Sequence, residues 1–271
     1  MAEGHSVLRW ARALEPLIGE PLLAVEAPMR WSERVTSLTD EHLTEIATHG
    51  KHLLLHTSAK LTIHCHAMMY GSWQFGRPPL KLRKPGKNVR LRLRTSRYEA
   101  VFFNGPVVEL LTVQELQEHE KLCALGPDLL HIEFDRDEAW RRLQRIGGRS
   151  LGDALLDQTL VAGVGNIFKS EGLFAANLDP RVPMRLVDRD SLERLWDVLV
   201  PMMEDNAKRS GPVITLNSNL RRRGERHWVY RRTRRPCFRC STPVEMIRQG
   251  QHRRTTYYCP TCQNGPSLRR L

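Results

Sequence analysis

The chain has 271 residues, enough for two domains of medium size or for one domain with a satellite. Hydrophobic residues make up 41% of the sequence, which can supply real cores and argues against a disordered chain. No apolar run approaches the roughly 20 residues that a membrane-spanning helix needs, and the amino end lacks the basic and apolar segments of a secretory signal. We therefore expect a cytoplasmic protein.

The charge balance is strongly basic, because 42 Lys and Arg residues against 30 Asp and Glu residues give a net charge of +12. Much of the excess is arginine, which binds phosphate through paired hydrogen bonds. Eight arginines crowd one short stretch: Arg221, Arg222, Arg223, Arg226, Arg231, Arg232, Arg234 and Arg235. A basic protein that is simply soluble is one interpretation, but this clustering favours a nucleic-acid-binding face.

The first half of the chain predicts a helix followed by strands. Apolar residues recur at helical spacing over residues 5–18, so a helix is expected there. Alternating, β-branched or aromatic residues then predict strands at 22–27, 52–57, 61–75, 90–95 and 99–104. Turn-like GRPP and KPGKN segments interrupt them. Residues 1–112 are therefore expected to form a small β domain with one leading helix.

In the second half of the chain the spacing of apolar residues changes to that of helices. From Val113 onward the pattern predicts helices at 113–123, 137–146, 150–163, 166–177 and 189–209, and Ser150 is a candidate cap for the third. This shift predicts a helical domain over residues 113–210. An Asn-, Gly- and Arg-rich basic loop over residues 211–235 then leads into a cysteine-containing module at 236–271.

Six cysteines divide into two kinds. Cys65 and Cys123 stand alone and are expected to be small buried residues. The other four form CFRC and CPTC with 18 residues between the pairs, namely Cys237, Cys240, Cys259 and Cys262. That spacing favours a zinc site in a cytosolic protein, with two tandem disulfides as the alternative. Four thiolates leave no open coordination position, so such a zinc would be structural.

Between the two cysteine pairs, VEMIRQ and TTYY predict two strands joined by GQHRR at 250–254, with an arginine at the tip of the hairpin. A metal-stapled hairpin is rigid and could push that arginine into DNA. Zinc ribbons also serve as struts that bind proteins, so both roles stay open.

Two further segments contain residues that could contact nucleic acid. In AGVGN, Gly163 and Gly165 permit a tight turn, and the first N–H groups of the next helix could hold a phosphate together with the amide of Asn166. Taken alone, an ordinary helical hairpin is the simpler interpretation. HAMMYGSW places bulky apolar residues at a strand end or turn, either as core or as a wedge that enters a base stack. Lys51 is either a solvated lysine or a phosphate clamp, and nothing local decides.

Four sequence motifs occur along the chain in a fixed order: MAEGHS at the amino end, GK–LLL, LLDQ–AGVGNI–SE, and the terminal CxxC–x18–CxxC–Q. Together they resemble the formamidopyrimidine-DNA glycosylase and endonuclease VIII family, from the first residues to Gln263. The resemblance implies an α+β multidomain fold. Its parts are an N-terminal β-sandwich with a leading helix, a helix–two-turn–helix domain, and a C-terminal zinc-finger β-hairpin that holds one structural Zn²⁺.

The resemblance also implies catalytic roles. The family's amino-terminal proline, whose amine attacks the sugar C1′ of a damaged nucleotide, falls on Ala2, and the acid beside it falls on Glu3. The family's phosphate-binding lysine of the β domain falls on Lys51, which makes it a candidate for both catalysis and DNA binding. Glu171 matches a glutamate that the family places near the active site.

DNA-binding roles carry over in the same way. The family's phosphate-binding asparagine falls on Asn166 and its finger-tip arginine on Arg254. The 8-oxoguanine branch uses an Arg-Phe-Gly element that residues 104–116 lack. Endonuclease VIII instead fills the vacated base position with three consecutive residues, which align with Met68, Met69 and Tyr70. This favours the branch that acts on oxidised pyrimidines.

Two positions depart from the family pattern: Ala2 stands where the family has proline, and Ser6 where many relatives have glutamate.

The leading hypothesis is a base-excision-repair glycosylase with abasic-site lyase activity, acting as a monomer on double-stranded DNA that contains damaged bases or abasic sites in the nucleoid. The alternative is a catalytically impaired protein of the same fold that binds DNA damage. A zinc-ribbon transcription or translation factor is a third hypothesis, but it leaves MAEGHS unexplained.

Overall fold

The computed structural model describes residues 2–27, 37–216 and 224–264. The chain divides into two compact units, Met1–Ala124 and Leu125–Leu271. The division falls after the boundary at residue 112 that we predict from the sequence. The helix that follows residue 112 packs on the last strand of the first unit and so belongs with it.

The first unit begins with helix α1, Gly4–Leu14, continued by a 3-10 turn at Glu15–Leu17. This agrees with the helix predicted at 5–18. Its buried face includes Val7, Ala11 and Leu14, which lie at helical spacing and enter the core of the first unit. Pro16 lies in the 3-10 turn that follows the helix.

Eight strands follow: β1 Ala24–Glu26, β2 Leu43–His49, β3 His52–Thr57, β4 Leu61–His66, β5 Ser72–Gly76, β6 Val89–Arg94, β7 Glu99–Phe103 and β8 Val107–Thr112. They form two four-stranded antiparallel sheets of order β1-β6-β7-β5 and β2-β3-β4-β8. One core takes side chains from α1 and from both sheets, for example Leu14, Leu55 and Phe102. The predicted β-sandwich with a leading helix is confirmed.

The sequence does not predict two of these strands, β2 and β8. The long strand predicted at 61–75 is in fact two strands, β4 and β5, separated by a turn at Ala67–Gly71. The turn closes with a hydrogen bond of 2.8 Å from Gly71 N to Ala67 O. A side chain at Gly71 would place its Cβ 2.5 Å from Ala67 Cα, so only glycine fits here.

Two short helices, α2 Val113–Gln117 and α3 Glu120–Cys123, end the first unit. The single helix predicted at 113–123 is broken because His119 accepts a hydrogen bond from Leu122 N and so starts a new helix. Cys123 is exposed, and our expectation that it is buried is wrong, because α3 buries none of its residues. Cys65 is buried as expected, and burial raises the pKa of its thiol.

The helices of the second unit are α4 Arg136–Arg145, α5 Leu151–Ala154, α6 Asn166–Ala175 and α7 Arg189–Lys208, with a 3-10 turn at Met184–Leu186. The helix predicted at 150–163 is limited to α5. Side chains compete for the backbone beyond it: Asp157 accepts a hydrogen bond from Thr159 N, and Gln158 accepts one from Gly163 N and donates to Val164 O.

The C-terminal hairpin consists of β9 Glu245–Gln249 and β10 Arg254–Tyr258, close to the predicted strands. It is attached to the helices by side chains. Gln249 Nε2 donates to Ser150 Oγ at 2.9 Å and to Pro180 O at 2.8 Å, and Gln263 Nε2 donates to Leu178 O at 2.8 Å. Ser150 therefore contacts the hairpin and makes no side-chain cap to α5. None of the helices in the described ranges is long and apolar enough to cross a membrane.

Candidate functional site

The amino end of the first unit is anchored. Glu3 is the N-cap of α1 and is completely buried, and its carbonyl oxygen accepts hydrogen bonds from Ser6 N at 2.8 Å and Val7 N at 3.3 Å. Ala2 is partly buried against the core. The pKa of His5 is lowered to about 3 by burial, by the charge of Arg9 and by the amino-terminal charge, so its imidazole is neutral. A carboxyl and a neutral imidazole therefore lie beside the residue predicted to be the nucleophile.

Lys51 lies in the tight turn between β2 and β3. Gly50 precedes it with a φ of +58°, and the turn is closed by the pair His49 and His52. The charge of Lys51 is among the causes, after burial and His64, that lower the pKa of His66. Lys51 and His66 are thus electrostatic neighbours within this sheet.

The next turn, between β4 and β5, presents Met68, Met69 and Tyr70. Their exposed fractions are 53%, 47% and 74%, so all three are exposed although they are large and apolar. Met68 has a φ of +48°, in the left-handed region. The interpretation of these residues as core is wrong. They form a compact apolar protrusion held by the two strands on either side.

Asn166 and Arg254 belong to neighbouring elements of the second unit. Asn166 is the first residue of α6, after Gly165, and its Nδ2 donates to Thr255 Oγ1 at 3.2 Å. Its Oδ1 is buried and has no hydrogen-bond partner in the described part of the chain. Arg254 is exposed and directly precedes Thr255 as the first residue of β10. Thr255 therefore links the start of α6 to β10, the strand that carries Arg254.

Two residues at this junction, Thr255 and Lys169, are not predicted as functional from the sequence. Lys169 is completely buried, and its Nζ donates to Thr255 O at 3.2 Å. A lysine at the fourth position of a predicted amphipathic helix looks like a solvent-facing residue, so its burial leaves no local signal. The predicted hairpin tip also shifts by one residue, because Arg253, with a φ of +46°, occupies the turn while Arg254 begins β10.

Glu171 has a positioning role that the sequence does not indicate. Its carboxylate is completely buried and accepts hydrogen bonds from the hydroxyl of Thr215 and from the backbone N–H groups of Trp228, Val229 and Tyr230, the latter three at 2.8, 2.9 and 2.8 Å. Thr215 and Trp228 stand on either side of residues 217–223, which lie outside the described ranges. Glu171 therefore links Thr215 to Trp228–Tyr230. Its catalytic role remains a prediction.

The basic segment does not present all of its arginines to solvent. Arg232 is buried, its guanidinium lies 3.6 Å from the centre of the Phe238 ring, and it donates to Pro236 O. It is a packing residue, so including it in a nucleic-acid face is wrong. The exposed members are Arg226, Arg231, Arg234 and Arg235. Arg221, Arg222 and Arg223 lie outside the described residues.

The four predicted ligand cysteines come together. All four Sγ atoms lie within 4.8 Å of one another, with Cys237 and Cys262 3.8 Å apart and Cys240 and Cys259 3.4 Å apart. A tetrahedral site with bonds of about 2.3 Å needs sulfur atoms about 3.8 Å apart, whereas a disulfide needs about 2.05 Å. The cluster could therefore bind a metal ion, and tandem disulfides do not fit it. Hydrogen bonds from Thr242 lower the pKa of Cys240 to about 6, which supplies a thiolate at neutral pH.

Two family models match the chain: the formamidopyrimidine-DNA glycosylase N-terminal domain over residues 1–106 and the formamidopyrimidine-DNA glycosylase H2TH domain over residues 125–218. A Streptomyces coelicolor protein named probable endonuclease 8 2 is 36% identical and covers 99% of this chain and 96% of its own length. A Mycolicibacterium smegmatis protein named DNA-(apurinic or apyrimidinic site) lyase Nei2 is 30% identical, with coverages of 97% and 99%.

Solved structures show the same fold. The complex of Lactococcus lactis Fpg with DNA that contains an abasic site superposes with a TM-score of 0.80 at 23% identity, over 97% of this chain and 100% of that one. Because these similarities run along nearly the whole chain, the hypothesis of a zinc-ribbon transcription or translation factor is wrong.

The position of Glu171 generates a prediction about local stability. In Glu171→Gln an amide N–H₂ replaces one carboxylate oxygen and faces the N–H and O–H groups that donate to it. At least one charge-assisted hydrogen bond is lost, which costs about 1.5–3 kcal/mol of local stability. We expect amide hydrogen exchange of residues 228–230 to accelerate by roughly tenfold or more while α7 is unaffected. Glu138→Gln, which removes a surface pair with Arg142, is the control and should leave these amides unchanged. Equal exchange in all three proteins would remove Glu171 from this role.

Proposed function

Because the chain belongs to the formamidopyrimidine-DNA glycosylase family, we propose that it is a base-excision-repair DNA glycosylase with associated abasic-site lyase activity. The observation that carries the proposal is the anchored amino end, where buried Glu3 caps α1 directly beside Ala2. Similarity to proteins named endonuclease 8 supports the same function, and nothing in these comparisons favours an impaired protein that only binds DNA damage.

We expect oxidised pyrimidines to be the preferred substrates. Residues 104–116 lack an Arg-Phe-Gly element, and this stretch forms β8 and α2. The exposed Met68, Met69 and Tyr70 turn supplies apolar side chains that can stack in a vacated base position. The names of the curated relatives point to the endonuclease VIII branch as well.

The proposed reaction begins with the amine of Ala2 after removal of Met1. An α-amine titrates near ~7.7–8.0, so an appreciable fraction is neutral and nucleophilic at physiological pH. It attacks C1′ of the damaged nucleotide and the bond from C1′ to the base breaks, while Glu3 donates a proton to the opening sugar ring or to the departing base. Breaking of the C1′–O4′ bond opens the ring and gives the protonated Schiff base. This cation draws electrons from the sugar as a C2′ proton passes to water, so that the C3′–O bond breaks and the 3′ phosphate leaves, and a second water hydrolyses the Schiff base to free the amine.

DNA holds its bases in a stack, so the target nucleotide must be flipped out at a cost of a few kcal/mol. We propose that Lys51, Asn166 and Arg254 bind backbone phosphates of the bent duplex while the Met68–Tyr70 turn fills the vacancy. Their positions in the fold support this proposal: Lys51 lies in a turn, Asn166 begins α6 and Arg254 is exposed on β10. We expect the protein to act as a monomer in the cytoplasm, associated with the nucleoid through its affinity for DNA.

We propose that the four-cysteine cluster holds one Zn²⁺ ion. Cys237, Cys240, Cys259 and Cys262 would occupy all four tetrahedral positions, so the ion would fasten the β9–β10 hairpin without taking part in the chemistry. Its effect on DNA binding would be indirect, through the position of Arg254.

Removal of one ligand tests the metal. We expect one zinc per purified chain, and Cys240→Ser should lose the ion, disorder residues 237–262 and weaken binding to lesion DNA while the first unit stays folded. Cys123→Ser is the matched control because Cys123 is an exposed cysteine of the first unit. Metal analysis that finds no zinc in the wild-type protein would contradict this prediction.

The nucleophile is tested by two variants. A primary amine gives an imine that can lose its proton and stop acting as an electron sink, whereas proline gives a permanently charged iminium. We therefore expect Ala2→Pro to accelerate base excision and strand cleavage, and Glu3→Gln to abolish base excision while it retains lesion binding. The readout is single-turnover cleavage of a duplex with one thymine glycol, with intact mass to verify loss of Met1. Identical rates for wild type and Ala2→Pro, together with a retained Met1, would refute an amino-terminal nucleophile.

The turn is tested by replacing Met68, Met69 and Tyr70 with alanine together. Only a duplex loses stacking when the base leaves, so activity should fall far more on duplex than on single-stranded substrate. Replacing the exposed Ile132 with alanine, in the other unit, is the control for loss of a surface apolar residue. Equal losses on both substrates would contradict a gap-filling role.

A further inference from the structure

The first unit contains a cluster of ionisable side chains that the proposed reaction does not use, here called the histidine cluster: His52, His64, His66, Glu109 and His119. Its geometry follows from strand register, because His52 lies opposite His66 on β3 and β4, and His64 lies opposite Glu109 on β4 and β8. His119 joins as the residue that starts α3. Four of the members therefore lie together on the second sheet, and His119 contacts Glu109 from the start of α3.

Direct contacts connect the histidine cluster. Glu109 Oε2 lies 2.7 Å from His64 Nδ1 and 3.1 Å from His119 Nε2. His64 Nε2 lies 2.8 Å from His52 Nδ1, and the rings of His52 and His66 are 4.4 Å apart between their centres. The path runs from Glu109 through His64 and His52 to His66 without a gap.

The partners assign the proton on each ring. The pKa of Glu109 is lowered, because hydrogen bonds from His64 and His119 outweigh the opposing effect of burial, so its carboxylate only accepts. His64 must then carry its proton on Nδ1, which leaves Nε2 to accept from Nδ1–H of His52. Burial before all else lowers the pKa of His52 to about 2 and that of His66 to about 4, so both rings are neutral at physiological pH.

The far end of the cluster meets the Met68–Tyr70 turn. His66 Nδ1 accepts a hydrogen bond of 3.2 Å from Met68 N, the residue with the left-handed φ of +48°. A methionine in that region is strained by about 1–3 kcal/mol and persists only when its surroundings hold it. The hydrogen bond to His66 stabilises Met68 in this conformation, and the His66 ring in turn packs against the ring of His52.

A metal site at His64, Glu109 and His119 is the competing explanation, since their ligand atoms lie within 4.8 Å of one another. His119 argues against it. Its Nδ1 accepts from Leu122 N at 3.3 Å, so the proton is on Nε2, the nitrogen that faces Glu109. Binding a metal through Nε2 would place the proton on Nδ1 against the N–H of Leu122.

We propose that the histidine cluster positions the Met68–Tyr70 turn, with Nδ1 of His66 as the acceptor that fixes Met68 and with the chain to Glu109 holding the His66 ring in place. The proposal rests on the proposed gap-filling function of the turn. It makes His66 a positioning residue for base flipping, which acts through Met68 and does not itself contact the reacting atoms.

Two variants of His66 separate the acceptor from the ring. His66→Asn retains an acceptor close to the position of Nδ1 but removes the ring, whereas His66→Phe retains the ring and removes the acceptor. We expect His66→Phe to lower cleavage of a thymine glycol duplex by roughly fivefold, the equivalent of one hydrogen bond, with little change on the single-stranded lesion. His66→Asn should restore most of the duplex activity. His56→Asn is the control, since His56 contacts Thr62 on the same hairpin, outside the cluster.

Loss of duplex activity in His66→Asn with retention in His66→Phe would show that only ring packing matters and would overturn the proposal. Wild-type activity in both variants would overturn it too, provided that the Met68, Met69 and Tyr70 triple variant is impaired on duplex. If the triple variant is not impaired, the gap-filling function itself has failed, and the positioning role fails with it.

A second measurement needs no variant and decides the matter if His66→Phe does not fold. Imidazole ¹⁵N chemical shifts of the wild-type protein report which ring nitrogen carries the proton. We expect His66 and His119 as Nε2–H tautomers and His64 as the Nδ1–H tautomer at pH 7. A proton on Nδ1 of His66, or a second metal ion per chain bound through His64, would overturn the proposal.

Discussion

A chain terminus is the most mobile part of most proteins, and packing of α1 is what removes that mobility here. α1 lies against β2, β3 and β5 and buries Val7, Ala11 and Leu14 in the core of the sandwich. Glu3 closes the helix start inside the protein. An amine on Ala2 is therefore attached to a rigid element within one residue of a buried carboxyl. In the reaction that we propose, alanine in place of proline changes the electronics of the Schiff base.

Polar side chains also link separate elements at the residues that we propose to contact DNA. Glu171 ties Thr215 to Trp228–Tyr230, and Thr255 joins the start of α6 to β10. The histidine cluster stands in the same relation to the Met68–Tyr70 turn. Glu171 is completely buried, whereas Thr255 and His66 are partly buried. The contacts of Glu171 and Thr255 join residues that are distant in the sequence, which makes them hard to predict, while His66 binds Met68 only two residues further on.

Much of the fold follows from local patterns. The strand β3, the helices α1, α6 and α7, and the cysteine hairpin lie close to their predicted bounds because periodicity and metal spacing are local signals. The strand β2 was missed because its burial pattern does not alternate, and α5 is short because Asp157 and Gln158 bind the backbone beyond it. The exposure of Cys123 and the burial of Arg232 differ from the sequence-based predictions for a common reason, since tertiary contacts decide both. The family resemblance indicated Ala2, Glu3 and Asn166, whereas only the three-dimensional contacts reveal Thr255 and His66.

Borohydride trapping followed by peptide mapping tests most directly whether the α-amine of Ala2 forms the covalent bond to the sugar, as we propose. The wild-type protein would be incubated with a duplex that contains one abasic site, reduced with borohydride, digested and analysed by mass spectrometry. We predict a DNA remnant on the amino-terminal nitrogen of a peptide that begins at Ala2, with Met1 absent. A trapped adduct on a lysine side chain such as Lys51, or no adduct on a duplex that the protein binds and cleaves, would contradict the claim.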